Sequence, residues 1–305
     1  MCMRQETMTA MKRPMPSRAK VSAVALALVA LAVMLSGCIT IPPINPPDVP
    51  PPLPTPKEQS AAFLLDKAGT RCMNVLGMTE PGFMALVQRV KGMGGINTWY
   101  VYLGNDGDGL PPRQLPGAIY GGPADPATVA EWRKRLTHLR ANGFYIVGWV
   151  TADDSRSIHA ASRDAHLRHI DTCVSEFGDL IDEWVWGLEA DSDGRKGHAK
   201  ACIAYGKAKD GKRWGIHLNP GKYSDALSWG ADALYYQRKG FSPSKDMAPD
   251  TLRSEVHSVC GKVGGLPVVA SEYHGSSNSA NARACGQAVM REPRPANLVG
   301  TGNGR

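Results

Sequence analysis

Two glutamates in the second half of the chain, Glu189 and Glu272, each end a short apolar run. The residues two and four positions before each of them are small or β-branched: Val185 and Gly187, and Val268 and Ala270. Because side chains alternate between the two faces of a strand, each glutamate shares its face with a row that suits a crowded interior. We therefore expect both carboxylates at the rim of that interior. Two opposed carboxylates can divide a reaction between a proton donor and a nucleophile.

Aromatic and polar side chains follow the ends of the same runs and form a candidate binding set. Its members are Trp149, Asp153, Trp186, Asp191, His217, Asn219, Tyr235, Tyr236, Gln237 and His274. Planar rings with a few well-placed polar groups are typical of small-molecule binding sites. Asp191 is also an alternative proton donor to Glu189, if the strand before it ends two residues later.

The sequence indicates neither a metal nor a cofactor. Acidic residues cluster near Glu189, and His217 and His274 end separate runs, but no His-x-His pair occurs in the first run and no HExxH motif occurs on a helix. No strand is followed by a glycine-rich phosphate loop, and no Gly-x-Ser-x-Gly elbow is present. A metallohydrolase is kept as a second enzymatic alternative.

The elements that must position these residues are short apolar runs alternating with amphipathic stretches, a pattern that indicates repeated βα units. Strands are predicted at Cys72–Met78, Thr98–Gly104, Phe144–Ala152, Glu183–Glu189, Trp214–Asn219, Ala233–Gln237, Pro267–Glu272 and Leu298–Gly302. Helices are predicted at Pro81–Met93, Pro126–Ala141, Ser157–Phe177, His198–Lys209, Tyr223–Trp229, Pro249–Val263 and Ser279–Met290. The leading fold is an α/β (β/α)8 TIM barrel, and an open doubly wound sheet is the alternative. The segment Gln59–Ala68 is a candidate to cover the position of the final helix.

The segments Gly187-Leu188-Glu189-Ala190 and Ala270-Ser271-Glu272-Tyr273 end the predicted fourth and seventh strands. In this layout the chain resembles the clan of retaining glycoside hydrolases built on the TIM barrel. The resemblance implies that Glu189 is the acid/base and Glu272 the nucleophile. It also implies that Tyr235 or Tyr236 hydrogen-bonds the nucleophile. Leu188 departs from the family pattern, which usually has Asn there.

The implied reaction is hydrolysis of an O-glycosidic bond with retention, which requires two carboxyl groups about 5.5 Å apart. Aromatic platforms and short polar groups of the candidate binding set suit sugar rings and their hydroxyls. The alternative is a barrel without catalytic activity that binds carbohydrate or contacts another envelope component. The departure at Leu188 favours this alternative, whereas the sequence around Glu272 favours the hydrolase.

The N-terminal segment has basic residues followed by the apolar run 21–35, and it ends Leu35-Ser36-Gly37-Cys38. This ending resembles the bacterial lipobox, which implies a signal peptide over 1–37 and an acylated Cys38. Residue 39 is Ile, which by the same resemblance points to the outer membrane. The linker 38–58 is rich in proline and favours a semi-rigid polyproline II spacer. The barrel is expected over 59–305.

The net charge of the chain is partly that of the predicted signal peptide. The formal net charge is +7; residues 1–37 hold five basic residues and one acidic residue, so they carry +4 and the remainder carries +3. No basic run interleaved with aromatic residues remains after Cys38. We therefore expect no nucleic acid as a partner. The expected partners are a glycan, bound at the candidate site, and a membrane, contacted through the lipid anchor.

Five cysteines follow Cys38: Cys72, Cys173, Cys202, Cys260 and Cys285. Export places them where disulfides persist. Cys173 and Cys202 fall on consecutive predicted helices, and so do Cys260 and Cys285. The sequence therefore predicts the bridges Cys173–Cys202 and Cys260–Cys285 with Cys72 unpaired, and buried thiols are the alternative.

Overall fold

The computed structural model describes residues 62–63, 76, 78–92, 98–103, 125–151, 161–191, 196–238, 248–272, 284–285 and 298–301, with the backbone alone at Glu272 and in the first and last strands. The predicted signal peptide, Cys38, the linker, Cys72, Asp153 and His274 lie outside the described residues. Within the described residues, no helix has both the length and the apolar character needed to cross a membrane.

Eight strands alternate with helices along the chain. In order they are β1 (Ala62–Phe63), α1 (Glu80–Gly92), β2 (Thr98–Tyr102), α2 (Pro126–Ala141), β3 (Tyr145–Thr151), α3 (Arg163–Phe177), β4 (Glu183–Gly187), α4 (Ala199–Asp210), β5 (Arg213–Leu218), α5 (Ser224–Ser228), β6 (Ala233–Gln237), α6 (Pro249–Cys260), β7 (Val268–Glu272) and β8 (Leu298–Thr301). Each strand pairs in parallel with the next one in the sequence. The fold is a (β/α)8 TIM barrel.

Contacts across the interior show that the sheet is strongly curled. The rings of Tyr100 on β2 and Tyr235 on β6 lie 5.8 Å apart between centroids. In a flat sheet, four strand spacings would separate these strands by about 19 Å. The same inner cluster includes side chains of β3, β4 and β7: Trp149, Val185 and Val269. Large side chains therefore fill the barrel interior, as expected for a closed parallel sheet.

Local signals explain why the helices begin and end where they do. Asp125 precedes Pro126, and its carboxylate accepts a hydrogen bond from the Thr128 N–H at 2.9 Å, which caps α2. The predicted helix Pro126–Ala141 has the same bounds as α2. At the carboxyl-terminal end of α4, Gly211 is the C-cap residue with a φ of +67°, and the helix ends there.

The outer layer between β4, β5 and α4 depends on two stacked tryptophans. Trp184 and Trp214 have ring centroids 5.5 Å apart at an interplanar angle of 22°. Both indole N–H groups donate to the carboxylate of Asp210, at 2.6 Å and 3.2 Å. Gly206 on α4 leaves space for Trp214, because a Cβ there would lie 2.4 Å from ring atoms. The helix packs close to the strands only because this position has no side chain.

Two aspartates that precede strands make the same contacts at the amino-terminal end of the barrel. Asp182, before β4, accepts from the Ile146 N–H of β3 at 2.7 Å and pairs with Arg140 at the end of α2. Asp232, before β6, accepts from the Trp214 N–H of β5 at 3.0 Å and pairs with a lysine of α4 at 2.5 Å. Each aspartate thus links two neighbouring strands to a helix. The two sets of contacts are two βα units apart in the barrel.

The first strand differs from the prediction. β1 is Ala62–Phe63, paired with Thr98 and Trp99 of β2. The sequence predicted the first strand at Cys72–Met78 and named Gln59–Ala68 as a candidate to cover the position of the final helix. The apolar run around Ala62 is only a few residues long, a length that fits a strand better than a helix. In the predicted strand, Leu76 and Met78 are described outside any strand, and Leu76 is buried in the hydrophobic core.

The predicted bridges Cys173–Cys202 and Cys260–Cys285 do not form. The structure has all four as buried thiols, and no disulfide joins them among the described residues. All four belong to the hydrophobic core between helices and strands, where cysteine packs as a small apolar residue. The Cys173 sulfur lies 3.6 Å from Nε2 of His169, and burial raises the pKa of Cys202 to about 12. The structure therefore has the alternative that the sequence left open, buried thiols, at these four positions.

Candidate active site at the barrel mouth

Glu189 lies in a turn two residues beyond the end of β4. It has a φ of +48°, the one positive φ of a non-glycine residue in the described part of the chain. The left-handed conformation costs a residue with a side chain roughly 1–2 kcal/mol. Such strain persists only where neighbouring contacts hold it, and it is concentrated at functional sites. Here the Glu189 N–H donates to Nδ1 of His217 at 2.9 Å.

Gln237, the last residue of β6, connects the positions of the two predicted catalytic glutamates. Its Nε2 donates to Oε1 of Glu189 at 3.3 Å. Its backbone pairs in register with Glu272, the last residue of β7. The carboxyl ends of β4, β6 and β7 therefore meet around Gln237, at the end of the barrel where TIM-barrel active sites lie.

The residues of β7 before Glu272 do not face the sides that the sequence predicted. Val268 and Ala270 belong to the outer core, and Val269 belongs to the inner cluster, so the small row predicted for the interior faces the helices. The β6–β7 register shifts after the pair Tyr236–Ala270, and Gln237 is paired with Glu272. The bulge leaves Ser271 opposite no residue of β6, and its hydroxyl donates to the Tyr236 carbonyl at 3.2 Å. A bulge of this kind re-aims the residues that follow it.

Asp191 and Asn219 fix the ends of β4 and β5 to each other. Oδ1 of Asp191 accepts from the backbone N–H of Asn219 at 3.0 Å and from its side-chain amide at 3.3 Å. Asp191 is 5% exposed, and Nζ of Lys222 lies 3.9 Å from its other oxygen. This carboxylate is committed to holding the β5 end, which makes it a weaker proton donor candidate than the half-buried Glu189.

An aromatic wall lies beneath these polar groups. Trp149 is fully buried, with ring centroids 5.3 Å from His217 and 5.6 Å from Tyr102. Tyr102 is half-buried at the end of β2, and Leu188 packs against the same inner cluster. Trp149 therefore supports the wall from within, and Tyr102 is the aromatic residue that reaches outward.

Tyr235 lies deeper in the barrel than the sequence analysis expected. Its hydroxyl donates to Oε1 of Glu183 at 2.9 Å, and the Tyr145 hydroxyl donates to Oε2 at 2.9 Å. Arg213 lies 3.3 Å from the same carboxylate, which is fully buried. Burial, together with the charge of Glu183, raises the pKa of Tyr145 well above its ordinary value, so its hydroxyl remains a donor. Tyr235 belongs to this buried network at the amino-terminal end of β4, and not to the mouth.

Two further residues of the candidate binding set face the helices. Tyr236 packs edge-on against Tyr223 with centroids 5.4 Å apart, in the outer core. Trp186 packs against His166 on α3 with centroids 5.5 Å apart. Neither reaches the barrel interior, because each is displaced by one residue from an inward-facing neighbour on its strand.

The structure thus brings together Glu189, Asp191, His217, Asn219 and Gln237 above Trp149, with the backbone of Glu272 beside them. Arg238, which was not among the predicted site residues, follows Gln237 and is 8% exposed at the same edge. Its signal was a charged residue directly after a strand. Among the described residues, no group of three or more His, Cys, Asp or Glu side chains is arranged to hold a metal ion.

No protein-family model matches the sequence, and no curated protein matches it. Solved structures with similar folds include a glycoside hydrolase family 5 protein from Bacteroides vulgatus ATCC 8482, with 13% identity and a TM-score of 0.56 over 75% of this chain and 55% of that one. A second, described as a glycoside hydrolase, has 14% identity and a TM-score of 0.59 over 82% of this chain and 62% of that one.

A third similar structure is the endo-β-1,4-glucanase from Xanthomonas axonopodis pv. citri, with 13% identity and a TM-score of 0.56 over 81% of this chain and 87% of that one. The chain spans little more than half the length of the first of these structures. At these identities the similarity establishes the TIM-barrel fold alone, and the activity has to be argued from the site itself.

Proposed function

We propose that this protein is a glycoside hydrolase of the bacterial cell envelope that cleaves an O-glycosidic bond with retention. The observation that carries the proposal is that Gln237 contacts both positions: its side chain donates to the Glu189 carboxylate, and its backbone pairs in register with the backbone of Glu272. Two carboxylic acids that flank the scissile bond are the groups that this reaction needs. The glycoside hydrolase neighbours support the same assignment at the level of fold.

In the proposed reaction, Glu272 attacks the anomeric carbon while Glu189 donates a proton to the departing glycosidic oxygen. Glu189 then removes a proton from water, which attacks the anomeric carbon and releases Glu272. The Gln237 amide donates to Oε1 of Glu189, so Oε2 is the oxygen that carries the acid proton. Gln237 therefore orients the acid, and the half-buried Tyr102 offers the sugar ring a flat surface.

The activities of two similar structures guide the choice of substrate. One is an endo-β-1,4-glucanase and another is a β-1,4-mannanase, which has 11% identity and a TM-score of 0.52. We therefore propose β-1,4-linked glucans and mannans as the first polymers to test, followed by aryl glycosides with good leaving groups. The full-length protein in mild detergent is the material to test.

The decisive experiment compares Glu189→Ala and Glu272→Ala with the control Glu176→Gln, a half-buried glutamate on α3 far from the mouth. Glu272→Ala is expected to abolish turnover. Glu189→Ala is expected to lose about 10²–10⁴-fold on substrates with poor leaving groups, to spare the first step with good ones, and to be rescued by azide with retained configuration. Near-wild-type rates in both variants would refute the assignment of the two roles.

One observation supports a second candidate, a carbohydrate-binding barrel without catalysis. Leu188 packs against the inner aromatic cluster directly before Glu189, where the resembling hydrolases carry an amide that can bond a sugar hydroxyl. An apolar side chain there provides no such bond. Saturable binding of a glycan with no release of reducing ends, in wild-type protein, would replace the hydrolase with this second function.

A further inference from the structure

His217 lies on β5 directly beneath the turn that carries Glu189. It is fully buried, and two consecutive residues of the turn contact it. The Glu189 N–H donates to the His217 ring at Nδ1, at 2.9 Å, and the Ala190 N–H donates to the His217 backbone carbonyl, also at 2.9 Å. The sequence predicted His217 as a substrate-binding residue, and the structure shows that it contacts the backbone of the turn that carries the proposed acid.

The ring nitrogen that accepts this bond determines the state of the imidazole. A neutral imidazole has one acceptor nitrogen and one N–H, so acceptance at Nδ1 places the proton on Nε2. The ring of Trp149, with its centroid 5.3 Å away, packs against the imidazole and restricts its rotation. Nδ1 is therefore held as an acceptor aimed at the turn.

The turn needs such an acceptor because Glu189 is in the left-handed region, with a φ of +48°. A residue with a side chain leaves that region readily unless its backbone is held. When the backbone relaxes, the carboxylate moves away from Gln237, which it contacts at 3.3 Å. His217 therefore acts on the orientation of Glu189 through the main chain.

We propose that His217 is a positioning residue, which holds the Glu189 turn in its left-handed conformation so that the carboxylate meets the glycosidic oxygen. His217 does not itself touch the substrate. The catalytic consequence rests on the proposed function, whereas the hydrogen bond to the Glu189 N–H can be tested without any substrate.

The experiment uses three variants of the full-length protein. His217→Asn keeps an acceptor, because the Asn Oδ1 lies at about the position of Nδ1. His217→Leu removes the acceptor and keeps the bulk, and His217→Gln keeps a polar group at the Nε2 position instead. Thermal unfolding of each variant establishes that the barrel is intact before the other measurements are made.

The first readout is hydrogen exchange of the Glu189 amide, measured by NMR. Exchange is expected to be slow in wild type and His217→Asn and at least about tenfold faster in His217→Leu and His217→Gln, because the acceptor is lost. Equal exchange in all four proteins would overturn the proposed contact. Because no glycan is involved, this result decides the contact even if the wild-type protein proves to have no hydrolase activity.

The second readout is turnover on substrates with poor and good leaving groups. His217→Leu is expected to lose about 10²-fold in kcat on poor leaving groups, as expected for a displaced acid, with unchanged KM and little effect on good leaving groups. His217→Asn is expected to stay within a few-fold of wild type. A rise in KM with unchanged kcat would overturn the positioning role and restore His217 as a substrate-binding residue.

Discussion

Replacing Tyr235 with Phe tests whether this tyrosine stabilises the barrel interior or serves the mouth. Its hydroxyl donates to Oε1 of Glu183 at 2.9 Å, and Glu183 is fully buried. The substitution removes that donor, whereas the Tyr145 hydroxyl and Arg213 remain within 3.3 Å of the carboxylate. The variant therefore retains a buried charge with one hydrogen bond fewer.

The expected cost follows from the charge of the acceptor. A hydrogen bond to a charged group contributes about 1.5–3 kcal/mol, more than one between neutral groups. Taking about 2 kcal/mol and about 2–4 °C for each kcal/mol in a domain of this size, Tm is expected to fall by about 4–8 °C. Turnover per folded molecule is expected to stay near wild type, because the hydroxyl does not reach the mouth.

Tyr236→Phe is a matched control for the same atom deletion one residue away. Tyr236 is also fully buried, and its hydroxyl has no hydrogen-bond partner among the described residues. Removing a buried hydroxyl that lacks a partner is expected to change the free energy of unfolding by less than about 0.5 kcal/mol, or to stabilise the barrel slightly. Aromatic packing against Tyr223 is unchanged in this variant.

Urea and thermal unfolding of both variants provide the measurement, with glycan turnover assayed in parallel. Equal unfolding free energies for Tyr235→Phe and Tyr236→Phe would refute the interior network. Wild-type stability with lost turnover in Tyr235→Phe would show instead that Tyr235 serves the mouth, as the resemblance to glycoside hydrolases implied.

Three other predictions concern the anchor, the outer layer and acid stability. Cys38→Ala is expected to release the protein from membranes, since stable anchoring needs the acyl chains; retention after a carbonate wash would contradict the predicted lipidation. Gly206→Ala is expected to cost about 1–3 kcal/mol, because the new Cβ lies 2.4 Å from the ring of Trp214. Its control Gly92→Ala meets nothing within 4 Å and is expected to be neutral in urea unfolding. Burial lowers the pKa of His169 from 6.5 to about 4. As the pH falls, the unfolded chain therefore takes up a proton on this side chain before the folded protein does. The contribution of the neutral, buried His169 to the free energy of unfolding is complete above pH 6.5, and it falls by about 3 kcal/mol as the pH drops to 4. His169→Gln keeps a donor at Nε2 and should flatten that part of the stability–pH curve; an unchanged curve would refute the assignment.

The regular parts of the fold could be predicted because their signals are local. Asp125-Pro126 marks the start of α2, and the predicted bounds of that helix and of β6 are those observed. The first strand was missed for the opposite reason. A two-residue strand, Ala62–Phe63, is defined by its pairing with β2 and not by its own composition.

At the site, alternation along a strand explains both a success and a failure. Val185 faces the interior before Glu189, as predicted, because β4 runs without irregularity. On β7 the expected alternation placed Ala270 on the face of Glu272 toward the interior, but Ala270 lies in the outer core, and a register shift separates it from Glu272. A bulge depends on the neighbouring strand, so no pattern within β7 alone reveals it.

The four cysteines that were predicted to form bridges show why position in the sequence is not enough. Consecutive helices are adjacent in a barrel, so Cys173 and Cys202 were reasonable partners, and α3 and α4 do contact each other. The face of the helix decides the outcome, and both thiols lie on the buried face toward the strands. Helix adjacency alone is therefore insufficient to predict a disulfide; the direction of each Cβ is also required.

The two ends of the barrel differ in how regular they are, and this difference bears on function. At the amino-terminal end, Asp182 and Asp232 repeat one set of contacts across two βα units. At the carboxyl end, the left-handed Glu189 and the β6–β7 bulge interrupt the regular pattern at adjacent positions around Gln237. Repeated contacts stabilise the scaffold. A strained residue and a bulge lower its stability, so they are found mainly where their geometry serves a function. Both irregularities adjoin Gln237, which contacts the Glu189 carboxylate and pairs with the backbone of Glu272, and this coincidence is the strongest physical reason to look for the chemistry there.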